Sequence, residues 1–196
     1  MPRWKRAAVV GVPGVGKTSL CQVASLNLGY KHVNYGEVML RIAQRKGLAL
    51  TIPHMFQLDF ELQHYIWKKA ALKIKNDQEL NPKEDRLVEK GVLLDLHGLD
   101  LVNKGYLVSL PFEILPPEII IIIESSYDDV LERRNFDSSK KRIMQDQYTT
   151  YNHMKMLRFS MNSISAILDC NLVILKNQDF RNCLDEMQVI LRGNVG

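Results

Sequence analysis

Glycines at positions 11, 14 and 16, followed at once by Lys17 and Thr18, are residue types that can hold a phosphate group. The run Gly11-Val12-Pro13-Gly14-Val15-Gly16-Lys17-Thr18 matches the spacing G-x-x-x-x-G-K-[ST] at every position. Each type has a reason to be there. Glycines let successive backbone N–H groups turn inward around an anion, and a helix that starts where the loop ends adds the positive end of its dipole. The Lys17 ammonium then reaches the β- and γ-phosphates of a nucleoside triphosphate, while the Thr18 hydroxyl ligates Mg²⁺. The expected triphosphate-binding residues are therefore Gly11, Val12, Pro13, Gly14, Val15, Gly16, Lys17, Thr18 and Ser19.

A loop of this kind works only between a strand and a helix, and both are written around it. Ala7-Ala8-Val9-Val10 supplies an apolar run directly before the loop, and Leu20, Val23, Ala24 and Leu28 recur at helical spacing directly after it. Further short apolar runs predict strands over 7–12, 32–34, 92–96, 119–124 and 171–175. Helical periodicity is expected over 17–28, 37–46, 56–76, 82–89, 127–134, 142–168 and 180–191. The five consecutive isoleucines at 119–123 show no alternation, as a strand covered on both faces should. Tyr151, Met154, Leu157, Met161, Ile164 and Leu168 form one apolar stripe at three- and four-residue steps, a core pattern. Strands alternating with helices imply α/β architecture with a mostly parallel sheet. No linker, repeat or low-complexity tract divides the chain, so one domain is expected over 1–196.

Ligands of open α/β sheets sit at the carboxyl ends of the strands. Asp95, which closes the run Val92-Leu93-Leu94, is therefore expected beside the phosphate loop, where it holds Mg²⁺ directly or through water; a turn or cap aspartate is the other reading.

Composition narrows the classes. At 196 residues, 46% of them apolar, the chain can bury a full core. A net charge of +4 without any run of five basic residues suits phosphate compounds better than a nucleic-acid groove, so no nucleic-acid partner is expected. The longest strongly apolar run is far shorter than a membrane span, and the apolar stretch after the basic N-terminus runs into the glycine loop rather than a cleavage site. A cytoplasmic protein without membrane partners is expected. Cys21, Cys170 and Cys183 have no CxxC spacing and no histidine nearby in sequence, so they read as buried free thiols without a metal.

The remaining motifs resemble one family. The phosphate loop, Val33-Asn34-Tyr35-Gly36-Glu37-Val38-Met39, Leu94-Asp95-Leu96-His97, Lys104-Gly105-Tyr106-Leu107, Leu110-Pro111, the segment from Pro117 to Glu124, Arg133-Arg134 and Lys176-Asn177 are similar in order to the archaeal-type adenylate kinases. The resemblance implies a P-loop NTPase-type three-layer fold with a five-stranded parallel sheet. It also implies transfer of the γ-phosphoryl group of Mg·ATP to AMP, and cytoplasmic homotrimers. Residues 35–76 become the acceptor-binding arm and 134–142 a short lid. Lys17, Arg133, Arg134 and Arg142 are then the expected catalytic cations, because such chemistry is mostly positioning and charge neutralisation. Tyr35, Gly36, Asp95 and His97 are the expected acceptor contacts. For Tyr35-Gly36 an ordinary strand-to-helix turn stands beside close approach to the acceptor, and for His97 packing stands beside positioning.

Departures from the family collect on the acceptor side. The stretch Thr51-Ile52-Pro53-His54-Met55-Phe56-Gln57-Leu58 carries no arginine, and Phe56 stands where an AMP-phosphate arginine is usual. Around Leu101-Val102-Asn103 a basic-Thr-Pro sequence is absent, and Lys140 replaces an arginine and its bidentate fork. Arg41, Arg45 and Lys46 are the nearby cations that can replace the lost charge. The first reading is thus an adenylate kinase. A kinase for another nucleoside monophosphate, and a regulatory NTP-binding or NTP-hydrolysing protein on the same scaffold, are the alternatives.

Overall fold

The computed structural model describes residues 3–77, 91–102, 105–136 and 146–193. In chain order the elements are β1 (Arg6–Val10), α1 (Lys17–Leu28), β2 (Lys31–Asn34), α2 (Tyr35–Arg45), α3 (Ile52–Met55), α4 (Phe60–Asn76) and β3 (Val92–Asp95). They continue with β4 (Leu99–Val102), β5 (Gly105–Val108), β6 (Ile119–Glu124), α5 (Tyr127–Phe136), α6 (Gln147–Leu168), β7 (Asn171–Lys176) and α7 (Phe180–Arg192).

Five strands form one sheet in the order β2-β3-β1-β6-β7, and every pairing in it is parallel. The whole of β6 is buried, so its side chains are covered above and below the sheet. Helices α1 and α7 pack together, α1 lies against β1, β2 and β3, and α6 lies against β6 and β7. The chain fills the β3 and β2 side of β1 first and crosses to β6 and β7 afterwards. That reversal makes the carboxyl end of β1 the switch point of the sheet, which is where such folds bind ligands. The glycine loop leaves β1 at that point. Register places Asp95 level with Val9 on one side and with Asn34 on the other, so the ends of β1, β2 and β3 share one edge.

Caps explain where the helices begin. The Asn34 side chain accepts from the Glu37 amide at 3.1 Å, which starts α2 two residues before the predicted 37. The predicted helix 56–76 begins later, at Phe60, where Asp59 caps α4 through the Leu62 amide at 2.8 Å, and a separate short α3 capped by Thr51 precedes it. Asp146 caps α6 through the Thr149 amide at 2.8 Å. Residues 142–145 and the predicted helix 82–89 lie outside the described residues.

Two expectations are corrected. Of the predicted α6 stripe, Leu157, Met161 and Ile164 are buried, but Tyr151 is 58% exposed and belongs to the outer face. The antiparallel pair β4–β5 was not anticipated; it follows β3 as a separate two-stranded sheet. Its strands have four residues each, too few for an alternating pattern to stand out. No helix among the described residues is long and apolar enough to cross a membrane.

Candidate functional site

The loop from Gly11 to Gly16 is shaped by what crowds it. Gly16, the residue before α1, has φ +91°, and a Cβ there would lie 2.4 Å from the Asn177 amide nitrogen. At Gly11 a Cβ would lie 2.4 Å from the Ile123 carbonyl oxygen. Neither position admits a side chain. Lys17 is buried, and its ammonium donates to the Val12 carbonyl at 3.2 Å, which lays it back across the loop. Thr18 is half-buried and Ser19 exposed on the first turn of α1.

The loop carbonyls are held from outside by residues at the end of β7 and on α5. Arg134, itself buried, donates twice to the Pro13 carbonyl, from Nε at 3.0 Å and Nη2 at 2.7 Å. Arg133 donates to the Val15 carbonyl at 3.2 Å and to the Asn177 carbonyl at 2.9 Å. The Asn177 side-chain amide donates to the same Val15 carbonyl at 2.7 Å. Each of these bonds occupies a carbonyl, while the Gly11 amide donates to the His97 carbonyl at 3.1 Å and the Val15 amide to the Val12 carbonyl at 3.5 Å. Sequence reasoning anticipated the two arginines near the phosphates, but not that they grip the loop backbone. It gave Asn177 no role, although a polar residue directly after the last strand of an α/β sheet is a signal for one. Lys140, Lys141 and Arg142 lie outside the described residues.

Asp95 sits where its place in the sequence predicted, at the end of β3 and 3% exposed. Burial by itself raises its carboxyl group. The bond from His32, the Lys17 charge and the Thr18 hydroxyl outweigh burial and hold it below the usual carboxylate range, so it is an anion at neutral pH. His32 Nε2 lies 3.4 Å from Asp95 Oδ2, and the Asn34 amide donates to that oxygen at 3.2 Å. A carboxylate and a hydroxyl side by side at a phosphate loop are hard oxygen donors, a set that fits Mg²⁺. Cys21 is also here, with its thiol within 4.8 Å of His32 and Asp95. No histidine lies near Cys21 in sequence, but the fold brings His32 within reach of its thiol. Cys21 and Cys183 are buried as expected, whereas Cys170 is only half-buried.

The acceptor-side residues divide. Tyr35 is buried, its hydroxyl donates to the Trp67 carbonyl at 2.7 Å, and its ring meets the Trp67 ring edge-on, so the side chain ties α2 to α4. Gly36 needs no glycine for its own backbone: a Cβ there would meet only Asn34 Oδ1, at an ordinary 3.4 Å. His97 shares a 2.7 Å bond between Nδ1 and Asp100, and its ring stacks on Phe56 with centroids 6.4 Å apart. The position lacking its usual arginine is therefore filled by an aromatic contact to another predicted acceptor residue. A pocket of about 240 Å³ opens between α1, β2, α2 and α4, lined by Asn34, Glu37, Arg41 and Lys73 among others. Arg45 and Lys46 are exposed and do not line it.

Known proteins resemble this chain in sequence and in fold. The model of a family described as an AAA domain matches residues 10–151. A protein described as an adenylate kinase homolog from Methanothermobacter thermautotrophicus is 42% identical over 175 residues, covering 89% of this chain and 86% of that one. The adenylate kinase of Methanopyrus kandleri is 34% identical over 87% of this chain and 88% of its own. Among solved structures, shikimate kinase from Aquifex aeolicus superposes with a TM-score of 0.57 at 18% identity, over 96% of this chain and 97% of its own, which is a likeness of fold. By its sequence relatives the chain belongs to the adenylate kinase family, and it carries an AAA domain.

Proposed function

We propose that this protein transfers the γ-phosphoryl group of Mg·ATP to AMP, giving two ADP. The observation that carries the reading is the loop itself: carbonyls clamped by Arg133, Arg134 and Asn177, with Lys17 and Asp95 converging where a triphosphate would end. Lys17 and the two arginines neutralise charge as the phosphoryl group moves, and Arg142 is assigned to the same task from the lid. Thr18 and Asp95 would hold Mg²⁺, which would supply charge neutralisation to the phosphates. Arg133 and Arg134 also brace the loop through its carbonyls.

On the acceptor side, residues 35–76 form the arm. Gly36 keeps the start of α2 clear for an incoming phosphate, and Arg41 and Lys73 provide the charge that Phe56 does not. The Phe56–His97 stack offers an aromatic surface for a base. Tyr35 supports the arm rather than touching the nucleotide. Assembly as a cytoplasmic homotrimer is part of the same reading. The exposed Tyr148, Tyr151, Phe159 and Ile167 on one side of α6 support self-association.

The test gives the purified protein Mg·ATP with each nucleoside monophosphate in turn and follows ADP. Fast ADP formation with AMP supports the proposal, and preference for another monophosphate reassigns the acceptor. ADP released at one slow rate with or without acceptor makes the protein an NTPase and overturns it. Lys17→Ala serves as control and abolishes transfer.

A further inference from the structure

Cys21 lies one turn into α1, His32 on β2 and Asp95 at the end of β3. Parallel register puts His32 and Asp95 on the same face of the sheet, two positions apart along neighbouring strands, and α1 packs over both strands. Two consecutive elements and the distant β3 thus bring a thiol sulfur, an imidazole nitrogen and a carboxylate oxygen within 4.8 Å of one another. His32 Nε2 and Asp95 Oδ2 already stand 3.4 Å apart. Two ligands at about 2.0–2.2 Å from a tetrahedral Zn²⁺ are separated by close to that distance, and the sulfur at about 2.3 Å needs only a small approach.

We propose that Cys21, His32 and Asp95 form a site for a thiophilic divalent cation, with Zn²⁺ as the natural occupant, and that filling it withdraws Asp95 from Thr18 and the phosphate loop. The donor set discriminates between metals. Mg²⁺ takes oxygen ligands and has no use for a thiol and an imidazole, whereas sulfur with nitrogen and a carboxylate is a zinc-type combination. There is a way in: His32 is partly exposed and lines the 240 Å³ pocket, from which water can complete the coordination. Burial raises the Cys21 thiol well above its ordinary value, and the Asp95 charge adds to this while Lys17 opposes it. The metal-free protein therefore carries the neutral thiol. Binding replaces the S–H bond with a metal–sulfur bond and releases that proton to solvent. With Oδ2 drawn to Zn²⁺ on the His32 side, Asp95 is turned from Thr18, and the added positive charge opposes a second cation beside it. A metal held here blocks the Mg²⁺ position, and the protein becomes a kinase switched off by zinc.

Binding is independent of the kinase assignment, whereas the inhibition rests on it, so the experiment reads the two separately. Co²⁺ is titrated into the full chain without nucleotide, and the thiolate-to-cobalt charge-transfer absorption is recorded. The expected band saturates at one equivalent, survives Cys170→Ser and disappears in Cys21→Ala. His32→Ala weakens Co²⁺ binding by about tenfold or more, the scale of a lost supporting group at a metal. Absence of the band, or its persistence in Cys21→Ala, refutes the site. In the second arm Zn²⁺ is added to the kinase reaction at saturating Mg·ATP. It slows the wild type and leaves Cys21→Ala, read against that variant's own zinc-free rate, essentially untouched. Equal inhibition of both refutes the coupling through Asp95, even where the cobalt band is present.

Discussion

Two donors converge on the Val15 carbonyl, and removing them together should cost more than the sum of removing each. Val15 is fully buried, and its oxygen accepts from Asn177 Nδ2 at 2.7 Å and Arg133 Nη1 at 3.2 Å. Asn177→Leu keeps the volume and removes a neutral donor, a loss of about 1 kcal/mol. It also removes Oδ1, a buried acceptor with no partner among the described residues, which offsets part of that loss. Arg133→Met removes a charged donor, at about 1.5–3 kcal/mol. In each single variant the carbonyl keeps one partner. In the double variant it keeps neither, and a buried unpaired carbonyl costs about 1–3 kcal/mol more. Urea unfolding of the four proteins should therefore give a coupling of about 1–3 kcal/mol, against the 0.3–0.5 or so allowed to independent sites. Mg·ATP binding, measured by calorimetry, should follow, with the double variant weaker than the product of the singles by roughly tenfold per 1.4 kcal/mol of coupling. Additive effects in both measurements would show that these side chains do not share the work of shaping the loop, and the clamp would fall with them.

Gly16→Ala combines a left-handed φ with a Cβ 2.4 Å from Asn177 Nδ2. The backbone term alone is about 1–2 kcal/mol, so thermal melting should fall by at least about 2–4 °C, with a loss of Mg·ATP binding; an unchanged melting point refutes the crowding. Because the folded Asp95 carboxyl is depressed, its stabilisation is present above the unfolded value of about 3.9 and is lost as pH falls through the lower folded value. The stability gap between wild type and Asp95→Asn should hold steady above about pH 5 and shrink below about pH 4; a gap that persists unchanged at strongly acidic pH contradicts the ion pairing. Arg41→Ala should raise the AMP KM by about tenfold or more with little change for ATP, the scale of one charged contact to a phosphate. An unchanged AMP KM, or an equal rise for both nucleotides, would place the acceptor elsewhere.

Much of the fold was legible because its signals are local. The isoleucine run, the apolar run before Gly11 and the spacing after Lys17 each depend on a few neighbouring residues, and the corresponding strands and α1 stand almost where those patterns put them. Helix starts were misplaced where a cap decided them, as at Asn34 and Asp59, because a cap depends on one side chain rather than on a period. The hairpin β4–β5 escaped notice because short strands bearing Asp100 carry too little pattern.

The loop with its Lys17 and Thr18 was fixed by sequence alone, since a phosphate cradle is built from consecutive backbone amides and needs no distant partner. What surrounds it was not. Asn177 lies 162 positions from the Val15 carbonyl it holds, and the arginines lie 118 and 121 positions from theirs. Phe56 meets His97, and Cys21 meets His32 and Asp95, only because the parallel register of the sheet and the packing of helices on it bring them together. Backbone chemistry over eight neighbouring residues can be read from a string of letters. Side-chain chemistry between separate strands and helices exists only once the sheet is assembled.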